Sequence, residues 1–267
     1  MARINLRMIG QLLAISWWIG CAGSGQAAQS SAPDQLAALL ADSDRSPADR
    51  RRDLTSRPAE VLDFAGLNAD MKVLDLLSGD GYYSEIIAGV VGPNGHVYMH
   101  NNQGYIGLQL KAIRRLRDGR LPNVEPFVRE IGDIMLASNS VDLVLMNLVY
   151  HDLYYENNGW EVSADQVFQM IARVLKPEGV LLVVDHDAPR GSGSAFAPTL
   201  HRIEANYAIT DIAARGLVFD ASTSILYNPA DDRSVSVFDP AIRGATSRFV
   251  LRFYKPRSEA RSVRPAQ

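Results

Sequence analysis

The stretch "VLDLLSGDGYYSEIIAG", residues 73–89, indicates the fold class, because it joins an apolar strand to a helix through a glycine turn. The strand has no alternating polar positions, which is typical of a strand covered on both faces. In the turn, Gly79 permits a tight bend and Gly81 permits close approach of a ligand to the backbone. The following helix presents free N–H groups and a partial positive charge to the turn. The stretch therefore predicts one unit of a doubly wound sheet, with a ligand site at its strand end.

Strands and helices continue to alternate along the rest of the chain. The predicted strands are "HVYMH", "VEPFVRE", "VDLVLMNL" and "VLLVVD", and the predicted helices are "YIGLQLKAIRRLRDG", "SADQVFQMIARVLKPEG" and "AITDIAARG". This alternation predicts a parallel sheet with helices on both faces, an α/β fold. Two late strands, "VFDASTSILY" and "SRFVLRFYKP", have no long helix between them. We expect them to pair as an antiparallel hairpin at a sheet edge.

The opening residues have the pattern of a secretory signal. Arg3 and Arg7 precede an apolar stretch, residues 8–19, and small residues follow it. That stretch is too short to span a bilayer comfortably, so we predict a signal peptide over residues 1–28 and a periplasmic location. A transmembrane anchor or a misassigned start are the alternatives. Cys21 is the single cysteine, which excludes an intrachain disulfide.

The segment "WIGC" ending at Cys21 is similar to a bacterial lipoprotein box, with Trp18 where leucine is usual. A lipid on Cys21 is therefore a second, weaker prediction, and it is the one membrane attachment we consider besides the signal. After the signal we predict an N-terminal helical arm over residues 29–60, with Ser46 and Pro47 as a helix cap and first turn. The main domain is predicted over residues 61–257, and residues 258–267 are predicted to be a disordered tail.

Composition restricts the class of partner. The 267 residues carry a net charge of −3, and 47% of them are hydrophobic, enough for one large core. No basic face is indicated, so we expect no nucleic-acid partner and a small-molecule substrate instead. The oligomeric state is not indicated by the sequence.

Two cofactor classes use a glycine turn of this kind. A dinucleotide loop needs a third glycine, where this chain has Ser84. The pattern Asp-x-x-x-Gly-x-Gly is met by Asp75, Gly79 and Gly81. An acid at the strand end can meet an ammonium group while the turn holds a carboxylate, which suits the methionine part of S-adenosylmethionine. A turn without a ligand is the structural alternative.

The sequence resembles class I S-adenosylmethionine-dependent methyltransferases, and in particular a set of exported bacterial predicted methyltransferases. The resemblance covers about residues 57–256. It rests on "VLDLLSGDGYYSEIIAGVVGPNGHVY", "VYHDLYY", "VLKPEGVLLVVDHDA", "TLHRIEA" and "SRFVLRFYKP". It implies a Rossmann-like, doubly wound sheet of seven strands, mostly parallel with one antiparallel strand near the edge. It also implies S-adenosylmethionine as the cofactor and methyl transfer to a small molecule or an envelope component.

The resemblance also implies positions of cofactor contact. The family usually has an acid after the second strand to hold the ribose, where this chain has Asn101, which can bond a diol but offers no carboxylate. Asp133 matches the position that meets the adenine amine, and a loop cap is its alternative role. The loop and the resemblance together predict these cofactor-binding residues: Asp75, Ser78, Gly79, Asp80, Gly81, Tyr82, Asn101, Asp133 and Asn147.

Polar residues that could take part in chemistry follow the fourth and fifth strands. His151 is the predicted base, because imidazole titrates near neutral pH, and a structural histidine is its alternative. Arg202 is predicted to pair with Asp185 or Asp187, or to bind an acidic substrate. The predicted catalytic residues are Tyr150, His151, Asp152, His186 and His201.

A divalent metal is an alternative use of the same side chains. His151, Asp152, Asp185, His186 and His201 offer imidazole and carboxylate groups that suit zinc, iron or manganese. No pair of them has the i, i+4 spacing of a helical metal motif, so we predict no metal ligand.

Two further functions stay open beside methyl transfer. One is an exported ligand-binding protein on the same fold without catalysis. The other is a metal-dependent hydrolase or oxidoreductase.

Overall fold

The computed structural model describes residues 32–42, 44–155, 160 and 162–257. The predicted signal over residues 1–28, Cys21 and the predicted tail over residues 258–267 lie outside the described residues. Among the helices that are described, none is both long enough and apolar enough to cross a membrane.

Seven strands form one sheet in the order β3-β2-β1-β4-β5-β7-β6. The strands are β1 Lys72–Leu76, β2 His96–Asn101, β3 Val124–Val128, β4 Val141–Asn147, β5 Leu175–His186, β6 Val218–Thr223 and β7 Arg248–Tyr254. β7 runs antiparallel to β5 and to β6, while the pairs from β3 to β5 are parallel. The predicted Rossmann-like, mostly parallel sheet and its antiparallel edge hairpin are confirmed.

Eight α-helices accompany the described sheet. They are α1 Ala32–Leu40, α2 Pro47–Ser56, α3 Pro58–Ala65, α4 Tyr82–Val91, α5 Ile106–Arg115, α6 Ala164–Val174, α7 Ala197–Leu200 and α8 Ala205–Ala214. Apolar side chains form one core on each sheet face: α6 and α8 contribute to one, and α3 and α4 to the other. This gives the predicted helical cover on both faces.

The glycine turn between β1 and α4 has the backbone that the sequence predicts. Leu77, Gly79 and Gly81 all have positive φ, at 53°, 62° and 76°. A Cβ on Gly81 would lie 2.8 Å from the sulfur of Met99, so this position needs glycine for space as well as for conformation. The turn brings the start of α4 to the carboxyl end of β1.

The helix α6 is shorter than the sequence predicts. Its cap is Ser163, whose hydroxyl accepts a hydrogen bond from the Gln166 N–H, as expected. The helix ends at Val174, however, and β5 begins at Leu175, which pairs with Val141. The extended conformation that a following proline imposes on Lys176 accounts for the early end.

The N-terminal arm is built on the predicted cap. Ser46 accepts a hydrogen bond from the Asp49 N–H, and Pro47 begins α2. α3 continues through the predicted boundary at residue 60. Its apolar residues Val61, Leu62 and Ala65 are buried in the core that α4 forms on one face of the sheet. The arm is therefore continuous with the main domain.

Candidate active site

Asp75 lies at the end of β1, directly before the glycine turn. It is 2% exposed, and its Oδ2 accepts a hydrogen bond of 2.6 Å from the Ser84 hydroxyl. Burial raises the pKa of Asp75 to about 7, with Ser84 opposing that rise. No ion pair of Asp75 occurs among the residues that the structure describes. A buried acid in this condition is suited to a ligand that brings a positive charge.

Asn101, at the end of β2, is turned toward the glycine turn. Its Oδ1 accepts from the Gly79 N–H at 2.9 Å, and its Nδ2 donates to the Gly79 carbonyl at 2.9 Å and to Gln109 Oε1 at 2.5 Å. Asn101 is fully buried. Its amide therefore fixes the turn in this structure, where the sequence predicts a contact with the ribose.

A second side chain of β2 also holds the turn. His100 Nδ1 accepts from the Leu77 N–H at 3.3 Å, and Nε2 donates to the Arg129 carbonyl at 2.9 Å. Burial lowers the pKa of His100 to about 4. The neutral ring thus connects the ends of β1, β2 and β3.

The arm covers the glycine turn from the side of α2. Tyr82 donates its hydroxyl hydrogen to Asp53 at 2.7 Å, and the Arg52 guanidinium lies 4.1 Å from the centre of its ring. The Asp80 carboxylate is 3.4 Å from both Arg52 and Arg115. Tyr82 is therefore buried against the arm, whereas Asp80 pairs with two arginines and stays one-third exposed.

A cleft opens beyond the carboxyl ends of β2 and β3, where adenine contacts are predicted. It has a volume of about 520 Å³. Its lining residues are Asn102, Gln103, Gly104, Glu130, Ile131, Gly132, Val162 and Gln166. Asp133 is exposed next to this lining, and Asn147 ends β4 half-buried. The volume is within the range of small-molecule sites.

Two buried polar atoms beside the turn have no hydrogen-bond partner among the described residues. They are Ser78 Oγ and Gln109 Nε2. Such atoms are costly unless a ligand or water satisfies them. Together with Asp75 and the cleft, they fit a ligand that has polar groups and a cationic end.

A second set of polar side chains lies between the ends of β4 and β5. His151 Nδ1 is 2.7 Å from Asp185 Oδ1, and the His151 N–H donates to Asp185 Oδ2 at 2.8 Å. His151 Nε2 is 3.2 Å from Asp152 Oδ1 and 3.2 Å from His201 Nδ1. We call His151, Asp152 and His201 the histidine cluster. His151 meets Asp185 because β4 and β5 are neighbours and end at the same edge, and His201 joins the cluster from the C-terminal end of α7.

The charge state of His151 is set by two carboxylates. Burial disfavours the charged ring, but Asp185 and Asp152 outweigh burial and raise the pKa of His151 to about 10. The pKa values of His186 and His201 are lowered by burial and by the charge of His151. The two carboxylates therefore favour the protonated His151 ring in this arrangement, and its role as a base stays a prediction.

Two of the predicted catalytic residues lie outside the histidine cluster. The Tyr150 hydroxyl donates to Asp211 at 2.7 Å within the core. The His186 ring centre is 6.1 Å from that of His151, and its Nδ1 is 2.7 Å from the Thr246 hydroxyl. These two side chains have structural partners here.

Arg202 does not make either ion pair that the sequence predicts. It binds Asp231 through two hydrogen bonds of 2.9 and 3.0 Å, with both side chains buried. Only the backbone carbonyl of Asp187 accepts from Arg202, while the Asp187 carboxylate pairs with Arg233. The expected ion pair forms, but with a partner in the loop between β6 and β7.

Sequence reasoning missed Tyr105 and Gln109 as site residues. The Tyr105 hydroxyl donates to Asp152 Oδ2 at 2.5 Å, and Trp160 Nε1 donates to the Asp152 carbonyl at 2.7 Å. Asp185 was considered as a metal ligand but not as the group that orients His151. Its position at the end of β5, beside the end of β4, was the signal available.

Comparison with known proteins identifies the family. The model of the methyltransferase domain family matches residues 67–214, more than half of the chain. The chain is 26% identical over 130 residues to the ubiquinone/menaquinone biosynthesis C-methyltransferase UbiE of Haemophilus ducreyi. This alignment covers 48% of the chain and 46% of that protein. It is 31% identical over 128 residues to an arsenite methyltransferase of Halobacterium salinarum, covering 46% of this chain and 29% of that protein.

These alignments span less than half the length of either relative. Among solved structures, a SAM-dependent methyltransferase from Aquifex aeolicus superposes with a TM-score of 0.57 and 21% identity, over 83% of this chain and 97% of that one. The likeness at this identity concerns the fold. The chain therefore belongs to the methyltransferase domain family, as its resemblance to class I methyltransferases predicts.

Proposed function

We propose that the protein transfers the methyl group of S-adenosylmethionine to a small molecule. Family membership supports the reaction class, and the fold shared with a SAM-dependent enzyme supports the cofactor. The observation that carries the proposal is the buried Asp75 at the glycine turn, beside a cleft large enough for an adenosyl group.

The residues present fit this cofactor. Asp75 would face its ammonium group, and Ser78 and Gln109 would satisfy its polar atoms with the two groups that lack partners in the described chain. The cleft between Asn102 and Gly132 would take the adenine end. When bound, S-adenosylmethionine supplies an electrophilic methyl group on sulfur. The chain contributes position and shielding from water.

The histidine cluster is the proposed place for the methyl acceptor. His151, Asp152 and His201 present polar atoms at the same sheet edge as the glycine turn. Tyr105 connects the two regions, because it follows β2 beside the cleft and bonds Asp152. The names of the two curated relatives point to unlike reactions, methylation of arsenite and a C-methylation in ubiquinone/menaquinone biosynthesis. Independently of these names, the polar atoms of the histidine cluster favour an acceptor that itself presents a polar group.

A calorimetric titration of S-adenosylmethionine into the purified chain, from residue 28 onward, tests the cofactor proposal. We expect a dissociation constant in the micromolar range. Asp75→Asn should weaken binding at least tenfold, because it removes the charge while the Ser84 hydroxyl still finds an acceptor. The fold should persist in this variant, since a buried carboxylate costs more free energy than a buried amide.

Asp220→Asn is the matched control, because Asp220 is a partly exposed acid that pairs with Arg252 on β7. It should bind like the wild type. A folded chain that binds no cofactor at millimolar concentration, or an Asp75→Asn variant that binds as tightly as the wild type, would refute the proposed site.

The opening residues support a location outside the cytoplasm, and we include this in the proposal. Arg3, Arg7 and the apolar residues 8–19 are the basis. N-terminal sequencing of the chain from a periplasmic fraction should begin near residue 28. Recovery of the intact chain from the cytoplasm would contradict it.

A further inference from the structure

The atoms of the histidine cluster converge on one point. His151 Nε2, Asp152 Oδ1 and His201 Nδ1 are separated by 3.2, 3.2 and 3.9 Å. Ligands about 2.1 Å from one cation are spaced by about 3.0 Å at an octahedral edge and about 3.4 Å at a tetrahedral edge. The two shorter separations lie between these values, and a movement of about half an ångström in the His201 ring would bring the third to the tetrahedral value.

Two of the three ligand atoms, those of His151 and Asp152, are oriented by a hydrogen bond to the other side of the same side chain. Asp185 accepts from His151 Nδ1 and from its backbone N–H, which leaves Nε2 directed at the cluster. Tyr105 donates to Asp152 Oδ2, which leaves Oδ1 directed at the same point. Orientation of a ligating histidine by a carboxylate is the usual outer arrangement of a metal site.

His201 is held in an unusual backbone conformation. Its φ is 54° and its ψ is 45°, a left-handed conformation that costs a residue with a Cβ about 1 kcal/mol or more. Its ring is packed by Tyr155 and Phe238, with ring centres 5.0 and 4.8 Å away. Strain of this kind persists where the surroundings fix a side chain in place, and it is concentrated at functional sites.

The charge of the surroundings suits a dication. Asp152 and Asp185 bring two carboxylates to a region where Asp185 is fully buried and His151 is 4% exposed. The side chain of Asp152 is 13% exposed, and a dication bound at His151 Nε2 in place of its proton would pair with both carboxylates. The side chain of His201 is 21% exposed, so an ion can enter past this residue.

We propose that His151, Asp152 and His201 bind a divalent transition-metal ion, with Asp185 and Tyr105 as the residues that position its ligands. Two imidazoles and one carboxylate suit zinc or iron, and three protein ligands leave coordination positions open to an exogenous oxygen or nitrogen. The sequence does not predict this site, because the three residues lack helical spacing and meet only through the fold. The inference does not depend on methyl transfer.

Cobalt(II) titration followed by visible absorption tests the site, since bound cobalt gives ligand-field bands. The protein is stripped with a chelator and carries no histidine tag, and neither S-adenosylmethionine nor acceptor is present. We expect one ion per chain, bound at micromolar concentration or below, and displaced by zinc. Asp152→Asn and His201→Ala should each weaken binding at least a hundredfold. Asp185→Asn should weaken it by about 10- to 100-fold, because it acts through His151.

His96→Ala is the control, because His96 is an imidazole at the start of β2, on the opposite edge of the sheet, where it bonds Glu125. It should leave cobalt binding unchanged. Thermal unfolding in chelator identifies any variant that fails to fold, and Asp152→Asn, which keeps the shape of the side chain, serves if His201→Ala is unfolded. Less than one-tenth of an ion per folded chain, or cobalt bands that survive Asp152→Asn unchanged, would overturn the metal site. Neither outcome would bear on S-adenosylmethionine binding at Asp75.

Discussion

Asp75 makes cofactor binding sensitive to pH at the scale of one residue. Its pKa is about 7 in the free protein because burial disfavours the carboxylate. Pairing with an ammonium group requires the ionised form, so S-adenosylmethionine binding should release a proton from Asp75 below pH 7.

We predict that affinity falls as pH drops from 7.5 to 5.5, by up to about tenfold per pH unit in the lower part of that range. Calorimetry in two buffers of different ionisation enthalpy measures the released proton directly. The Asp75→Asn variant should show neither the pH dependence nor the release. An equal slope in both proteins would assign the effect to another group.

His100 gives a pH dependence of stability with a definite sign. Its pKa is about 4 in the folded protein and near 6.5 when exposed. Below pH 6.5 the unfolded chain therefore takes up a proton that the folded chain refuses. The free energy of unfolding should decrease as pH falls from 6.5 toward 4, by up to about 1.4 kcal/mol per pH unit.

Urea unfolding at several pH values between 6.5 and 5 measures this slope. His100→Gln should have the shallower slope, whatever its stability at pH 7. His96→Gln, at the half-buried start of the same strand, should retain the wild-type slope. Parallel slopes for all three proteins would contradict the assignment.

Single residues also show where sequence reasoning ends. Asn101 lies at the end of β2, as predicted, but its amide binds Gly79 and Gln109, where a contact with the ribose was predicted. Position follows from the strand end, which a sequence pattern reveals. Direction depends on which neighbour offers a donor or an acceptor, and Gln109 comes from a different element.

At the scale of elements, the cost in stability of one crowded Cβ can be isolated by comparing Gly81 in the glycine turn with Gly66 after α3. Gly81 and Gly66 have nearly equal backbone angles, with φ at 76° and 74° and ψ at 21° and 30°. A Cβ on Gly81 would lie 2.8 Å from Met99 Sδ, whereas a Cβ on Gly66 would meet nothing within 4 Å. The two positions therefore differ in space but not in backbone strain.

Gly66→Ala should destabilise the protein by about 1 to 2 kcal/mol, the cost of the left-handed conformation. Gly81→Ala should lower the free energy of unfolding by about 1 to 3 kcal/mol more than Gly66→Ala does, because Met99 must move in a packed core. Chemical denaturation of both variants gives the difference. Equal losses would show that Met99 accommodates the methyl group freely.

Strands and helices were the most predictable feature of the chain. Helix α4 spans the predicted residues because Gly81 and Gly92 bound it on both sides. The boundary between α6 and β5 was wrong because the extended backbone before Pro177 continues into a pairing of Leu175 with Val141, which is 34 residues away in sequence. A local pattern does not contain such a pairing.

At the scale of the whole molecule, a buried ion pair fastens a long loop to the sheet edge. Arg202, after α7, binds Asp231 in the connection between β6 and β7, and both are buried. Arg202→Met should destabilise the protein by about 3 to 5 kcal/mol, because Asp231 would be left buried without its cation. Denaturation in chelator separates this effect from metal binding.

Arg257→Met is the control for the loss of an arginine, because Arg257 forms an exposed pair with Glu178. Its cost should be below about 1 kcal/mol. A cost this small for Arg202→Met would mean that water reaches Asp231 and that the loop is not fastened by the pair.

The composition of the site followed from topology, but its contacts did not. Parallel strands bring their carboxyl ends to one edge, so polar residues after β1, β2, β4 and β5 were expected there. Which of them touch depends on strand order: β4 and β5 are neighbours, and His151 therefore meets Asp185. Apart from the resemblance to a known fold, nothing in the sequence predicts that strand order.

The position of β7 between β5 and β6 means that the sheet cannot be completed until the last strand has been synthesised. Within the described residues, β6 pairs with β7 alone, and β7 inserts beside β5, whose last residue precedes it by more than 60 positions. During synthesis, β6 leaves the ribosome before β7, the strand with which it pairs in the described structure. Until residue 254 has emerged, β5 presents a free edge of N–H and C=O groups. A chain stalled in this interval would carry a nearly complete sheet with one open side, and that side is what a chaperone or a second nascent chain would meet first.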